Sequence, residues 1–218
     1  MRILALDAAL ARCSAGVVVD EALCAARMVD AQRGGAALLP VMAQEALAEA
    51  GMAATDLDAI AVTVGPGSFT GIRIALSLAH GLALGAGIPV IGVTVGEALA
   101  EALPHLGGRV LWVAVDSRRG RVFLERGGLI EALALTDIPD PDHAIAIAGD
   151  AAGAVAARLA ARDRNVMLTN ARLPIPRHIA LAAAARHTGR LPPREAQPLY
   201  VDPPEAKLPA GGLRPPPA

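Results

Sequence analysis

The stretch Gly65-Pro66-Gly67-Ser68-Phe69-Thr70-Gly71-Ile72-Arg73 carries the densest chemical signal in the chain. It follows the apolar run Asp58 to Val64, which reads as a strand. It opens a second run, Phe69 to Ala86, which reads as a helix. Backbone N–H groups at a helix start bind anions, so a phosphate cradle is one reading. The spacing departs from a P-loop, which needs G-x-x-x-x-G-K-[ST] with a Lys for the phosphates. It departs equally from the G-x-G-x-x-G of a dinucleotide site. The other reading is a structural loop, with Gly65, Pro66, Gly67 and Gly71 making a tight strand-to-helix turn and Ser68 as the helix N-cap.

Asp7 ends the first apolar run, a place from which a carboxylate can reach phosphate or Mg²⁺. The turn after it, Ala8-Ala9-Leu10-Ala11-Arg12, has neither hydroxyl nor glycine to hold phosphate, so autonomous ATP hydrolysis is not expected. His80, His105, His143, His178 and His187 are scattered, with no HxxxH or HExxH pair. Cys13 and Cys24 are the only cysteines and lack CxxC spacing, which suggests reduced thiols. Ser68 and Ser117 have no His near them, and no G-x-S-x-G elbow is present. The expectation is no catalytic residue and no metal site.

The helix after the loop says more. Ile72, Ala75, Leu76, Ala79 and Ala83 recur at helical spacing and make a face that can cover a sheet. The opposite side is not normally polar: Ser77, Gly81 and Gly85 lie four apart, flanked by Ile74, Leu78 and Leu84. Each internal Gly costs roughly 1 kcal/mol of helix propensity against Ala. A helix apolar nearly all round must be covered on more than one side. Burial inside this chain is one explanation. Docking on another subunit is the other, with Arg73, Ile74, Ser77, Leu78, Gly81 and Gly85 as the contact residues.

The elements that must position these residues alternate. Ile3–Asp7, Ala15–Val19 and Leu23–Val29 read as a three-stranded meander turning at Asp20-Glu21. A helix from Ala36 to Ala50 stops at Gly51. After the strand and helix described above come a strand at 89–94 and a helix at 97–103, giving the order βββαβαβα of a mixed α/β sheet. The pattern then restarts. Arg109 to Val115 ends at Asp116 as the first strand ends at Asp7, Ser117 to Gly120 turns, and 121–125 returns. Strands at 144–148 and 166–169 and helices at 151–163 and 176–187 follow. Pro104 and Gly107-Gly108 punctuate the middle, so the expected lobes are residues 1–106 and residues 107–218, the second ending in a Pro-rich tail from Pro192.

Composition removes several classes. The chain has 218 residues, 54% of them hydrophobic, too many for a disordered chain. Four aromatics, Phe69, Trp112, Phe123 and Tyr200, do not make a stacking platform for single strands. The net charge of −1 offers no general case for nucleic acid or a membrane surface. The chain opens on a short strand rather than an export signal, and the longest weakly charged stretch, 59–83, contains Arg73 and a Gly-Pro-Gly turn. The expectation is a cytoplasmic protein with no membrane role.

Together these segments resemble the TsaB (YeaZ) family. The residues that carry the likeness are Ile3–Asp7, Val64–Ile74 with its GPGSFTG-I-R core, Gly81–Leu84 and Ile88–Val93. Leu38-Leu39-Pro40, Asp116–Gly120 before Val122-Phe123, and Pro198-Leu199-Tyr200 add to it. The resemblance implies an α/β actin-like (ASKHA, RNase H-like) duplicated fold of two βββαβα-type lobes, with a degenerate nucleotide site. It implies a non-catalytic paralogue of TsaD, the subunit that carries the metal and transfers threonylcarbamoyl to N6 of adenosine 37 in tRNAs reading ANN codons. It implies TsaD and the ATPase TsaE as partners, a homodimer when alone, and tRNA met only through the complex. ATP or ADP is implied only at the junction with TsaD. Three positions depart from the family pattern: Ala8 where Thr is usual, Gly34 where His is common, and Asp202 in place of Arg in the tail motif. An M22-like metallopeptidase and a homodimeric scaffold without a tRNA role are the alternatives. The isolated protein is therefore expected to hydrolyse ATP and cleave peptides no faster than background. Turnover that vanishes in Asp7→Ala would overturn that expectation.

Overall fold

Every residue of one strand, Ala59–Gly65, is buried, the pattern of a strand covered on both faces. The covering can be followed in a computed structural model, which describes residues 1–30 and 34–201. Asp202 and the rest of the Pro-rich tail lie outside the described residues. Strands β1 (Arg2–Asp7), β2 (Arg12–Val19) and β3 (Ala22–Asp30) form an antiparallel meander, to which β4 (Ala59–Gly65) and β5 (Val90–Thr94) add in parallel. The order is β3-β2-β1-β4-β5. Asp20 and Glu21 both take positive φ, the geometry that lets a two-residue turn match the twist of a hairpin. Helix α1 (Leu39–Glu49) has Pro at its start, α2 (Phe69–Ala86) is capped by Ser68 and stopped by left-handed Gly87, and α3 is Val95–Glu101.

The second sheet is built from β6 (Val110–Asp116), β7 (Val122–Arg126), β8 (Leu129–Leu133), β9 (Ile145–Ala148) and β10 (Val166–Leu168), in the order β10-β9-β6-β7-β8. Its central strand β6 pairs antiparallel with β7 and parallel with β9, as β1 does with β2 and β4. Asp7 and Asp116 end these two equivalent strands. This is the duplication expected from the sequence, with one difference: between β8 and β9 the described chain has a single 3-10 turn, Leu135–Asp137, where the first lobe has α1.

Helices α4 (Ala152–Ala160) and α5 (Pro176–His187) complete the set, and α5 corrects the expected assignment of residues 107–218 to the second lobe. Its Ile179, Ala180, Ala182 and Ala183 pack on Ile3, Ala5, Ile91 and Val93 of the first sheet. The reason is that α1 and α2 cover only one face of that sheet, and α5 closes the other. The second sheet has α4 on one face, through Val155 and Leu159 against Trp112, Leu124 and Ile147. Its other face lies directly on the first lobe, where Val113, Val115 and Ala148 share a core with Ala8, Ala9, Val95 and Leu99. By length and composition α2 could cross a membrane, with a mean hydropathy of 1.3. Here it seats its buried stripe on the sheet, as a core-covering helix does. Ile179 is fully buried, so Ile179→Ala should cost about 2–5 kcal/mol and lower Tm by roughly 5–15 °C. A thermal melt checks this, and an unchanged Tm would show that α5 is not a structural cover.

Candidate functional site

The loop 65–71 is pressed against the turn that follows β1. A Cβ on Gly71 would lie 2.0 Å from the Ala8 carbonyl oxygen, and one on Gly67 would lie 2.1 Å from that of Ala9. Only glycine permits this approach. Ser68 N–H donates to the Ala9 carbonyl at 2.7 Å, and Gly71 N–H donates to Ser68 Oγ at 3.1 Å. Gly65 and Pro66 are buried at the end of β4, joined by a cis bond. A phosphate seated against Gly67 and Gly71 would have to displace the Ala8–Ala9 backbone, the Ser68 and Gly71 N–H groups are already occupied, and no Lys lies among the described residues.

Asp7 is sealed in the same place. It is fully buried, and its Oδ1 accepts from Thr63 Oγ1 and from Ala9 N–H at 2.9 Å. Its Oδ2 has no partner. Burial pushes this carboxyl up to about 6, against the pull of its two donors and of Arg12. Burial also pushes the Cys13 thiol up to about 11, with Asp7 adding to the effect, so that sulfur is a poor nucleophile. Among the described residues no three His, Cys, Asp or Glu converge as a metal site.

Between the lobes runs a cleft of about 1080 Å³, bounded by Ala8–Leu10, the loop, Phe123 and the turn after β6. That turn is satisfied internally. Asp150 Oδ1 accepts from Asp116 N–H at 2.8 Å, and Ser117 Oγ donates to the Arg121 carbonyl at 2.7 Å. Arg118 lies 3.7 Å from both Asp116 and Asp150.

Helix α2 divides as its spacing predicts. Ile72, Ala75, Leu76, Ala79 and Ala83 are buried with the core, joined by Gly71. On the outer side Ile74 and Leu78 are half-buried, and Arg73, Ser77, Gly81 and Gly85 are exposed. Among the described residues, no heavy atom beyond the helix's own backbone lies within 4 Å of a Cβ built on Gly81 or Gly85. Leu84 beside them is 86% exposed and Phe69, at the helix start, 57%.

Sequence reasoning missed what borders this face. After α5 the chain returns as a strap, Leu191 to Val201, alongside α2. Leu199 N–H donates to the Val64 carbonyl at 2.9 Å, and His80 Nε2 lies 2.9 Å from the Ala196 carbonyl oxygen. Arg73 donates to Tyr200 Oη at 2.7 Å and stacks 3.7 Å over the Phe69 ring. Arg73, expected as a partner contact, is thus also the anchor of the strap. The sequence hints were the Pro-rich stretch from Pro192, which reads as an extended segment crossing a surface, and the rare aromatic Tyr200 after Pro198.

The sequence model of a family described as tRNA N6-adenosine threonylcarbamoyltransferase (TsaD) matches residues 29–188, well over half the chain. The chain belongs to this family. TsaB, the tRNA threonylcarbamoyladenosine biosynthesis protein of Escherichia coli, is 41% identical to it over 125 residues, 56% of this chain and 53% of that one. A tRNA N6-adenosine threonylcarbamoyltransferase of Paracoccus denitrificans is 40% identical over 114 residues, 46% of this chain and 32% of that one. The chain thus spans about half the length, or less, of these curated relatives. YeaZ from Pseudomonas aeruginosa superimposes with a TM-score of 0.74 at 28% identity, over 91% of this chain and 99% of that chain. The resemblance to TsaB (YeaZ) proteins and the duplicated actin-like fold both stand.

In this TsaD-family chain the carboxyl corresponding to a strand-end ligand is buried, and that has a measurable consequence. The value of about 6 lies above the ordinary 3.8, so the folded chain keeps a proton that the unfolded chain releases. Stability should fall as pH rises from about 4 to about 6, with a full penalty of about 3 kcal/mol above that range. Asp7→Asn removes the titration. Denaturant melts should show the variant gaining on the parent by up to that amount between pH 4 and 7. Parallel profiles would mean that Asp7 is ionised in the fold.

Proposed function

We propose that this chain is a non-catalytic subunit for threonylcarbamoyl transfer to N6 of adenosine 37 in tRNAs reading ANN codons. It serves as scaffold and activator for a catalytic TsaD subunit, with the ATPase TsaE as the third component of a cytoplasmic assembly. The observation that carries this reading is the outer face of α2. That face is apolar along Ile74, Leu78 and Leu84 and carries two glycines that no described residue from outside the helix approaches within 4 Å. Small residues four apart let a second helix approach closely.

The sealed Asp7 and the filled loop support a subunit that performs no chemistry itself. They also support a nucleotide, ATP or ADP, held only where TsaD completes the site. The first lobe, residues 1–106, carries the docking helix. When the chain is alone, the same face pairs with itself, since a two-fold dimer needs only a self-complementary patch. Homodimer and TsaD complex then compete.

Gly81→Leu tests the reading. The new side chain meets open space in the monomer, so the fold should persist while the contact is overfilled. Overpacking costs about 1–3 kcal/mol, a loss of roughly 5- to 150-fold in affinity. A titration against TsaD should show that loss, with reduced threonylcarbamoylation of tRNA and an unchanged melt. Unaltered binding together with a sharp fall in Tm would place Gly81 in this chain's own core and end the assignment.

A further inference from the structure

The second sheet rests on the first lobe through an apolar layer, and β7 brings one acidic side chain into that joint. Glu125 alternates with buried Leu124 along β7 and lies opposite Val113 of β6, which belongs to the shared core. Its carboxylate presses on the first turn of α3. A Cβ on Gly96 would sit 2.0 Å from Oε2 and 2.7 Å from Oε1, so the carboxylate lies directly against the bare backbone of α3. Oε2 is sealed from solvent without a hydrogen-bond partner.

The charged groups around it are few. From α3 comes Glu97, whose Oε2 accepts from Thr94 N–H at 2.7 Å and whose Oε1 accepts from Arg186 of α5. From the strap comes Arg194, with Nε 3.6 Å from the same Glu97 oxygen and without a hydrogen-bond partner at that atom. Arg186 is spent on Glu97 and on the carbonyls of Gly92 and Pro192. The cross-strand neighbours of Glu125, Val113 and Ile130, are uncharged. Arg126, next along β7, is taken up by Trp112 and Glu131. Glu125 therefore faces one carboxylate and one shared cation inside an apolar layer. Burial first, then Glu97, push its carboxyl up to about 7, with Arg194 pulling the other way.

We propose that Glu125 is a proton-operated latch between the lobes: protonated, it lies on the first turn of α3 and the lobes stay docked; ionised, it withdraws from Glu97 and the joint loosens. Phe123, two positions along the same strand, lines the cleft, so a shift of β7 changes the width of the cleft. The sign follows from linkage. The docked state holds its proton above the ordinary 4.5, so docking weakens as pH rises toward about 7 and changes no further once the group is ionised. The latch lies away from the outer face of α2 and does not depend on what binds there.

Native-state hydrogen exchange on the full chain, corrected for intrinsic rates, reads the joint directly. Between pH 5.5 and 8.5, protection of amides in α3 and β7 should fall about tenfold or more and level off near 7, beyond the fall below about 6 that Asp7 causes throughout the fold and that α1 reports. Glu125→Gln should abolish this additional fall, so that α3 and β7 follow α1. Arg194→Gln should move the levelling-off to higher pH, and it provides a second measurement should Glu125→Gln fold poorly. Amides of α3 and β7 that follow α1 in the parent chain, or the same additional fall in Glu125→Gln, would overturn the latch. So would a levelling-off left in place by Arg194→Gln.

Discussion

A sheet buried on both faces needs two covers, and the first lobe supplies only one of them. Helices α1 and α2 close one side of the sheet, and the other side waits for α5, which the chain makes last. Much of the remaining architecture follows from that demand. Because α5 must return across the second lobe to reach Ile3, Ala5 and Ile91, the two lobes cannot be separated by cutting the chain at its midpoint. Because α5 ends beside α3, Arg186 arrives where Glu97 and the Gly92 carbonyl can bind it while it is almost wholly buried. A buried guanidinium is tolerable only with its donors occupied, and here they are. The strap that leaves α5 then has one way to go, over β5 and along α2 to Tyr200.

The same packing brings the turn after β1 against the loop that starts α2. In both lobes a central strand ends at an aspartate beside a turn. In the first lobe the turn and the helix-start loop have been brought together until their backbones touch, and the donors that would face a phosphate bind the Ala9 carbonyl and the Ser68 hydroxyl. An anion site at a helix N-terminus needs free N–H groups. Ala8 and Ala9 are small and apolar, so this turn can lie flat on the loop.

Much of this was legible in the sequence, and what was not has identifiable physical reasons. The bounds of α2 and α5 could be read because local signals set them: Ser68 before and Gly87 after the first, Pro176 at the start of the second. The helix expected from 97 starts two residues earlier, at Val95, because Thr94 and Glu97 form a capping box there. Strand β8 went unread. Its sequence, LIEAL, has little β character, although Gly127-Gly128, both at positive φ, mark the hairpin that makes it. The outer residues of α2 were visible from period alone. The site's other border was not, because Arg73 and Tyr200 are 127 residues apart and no pattern along the chain joins them. The packing of α5 was hidden for the same reason: an alanine-rich helix fits either sheet, and only the unmet need of the first sheet decides.

The glycines sort themselves by what they are near. Gly67, Gly71 and Gly92 each stand where a Cβ would come within 3 Å of a neighbouring backbone atom, so this fold requires them. Gly153 meets nothing but lies in the first turn of α4, where the helical propensity it forfeits matters least. Gly81 and Gly85 are different. They occupy the middle and last turns of an 18-residue helix, at ordinary helical φ, with open space above them. Alanine there would be better by roughly 1 kcal/mol at each position, and no contact among the described residues opposes it. Bare backbone at those two positions suits the close neighbour proposed for this face. The exposed Leu84 between them, an apolar side chain left in water on the same face, fits that account.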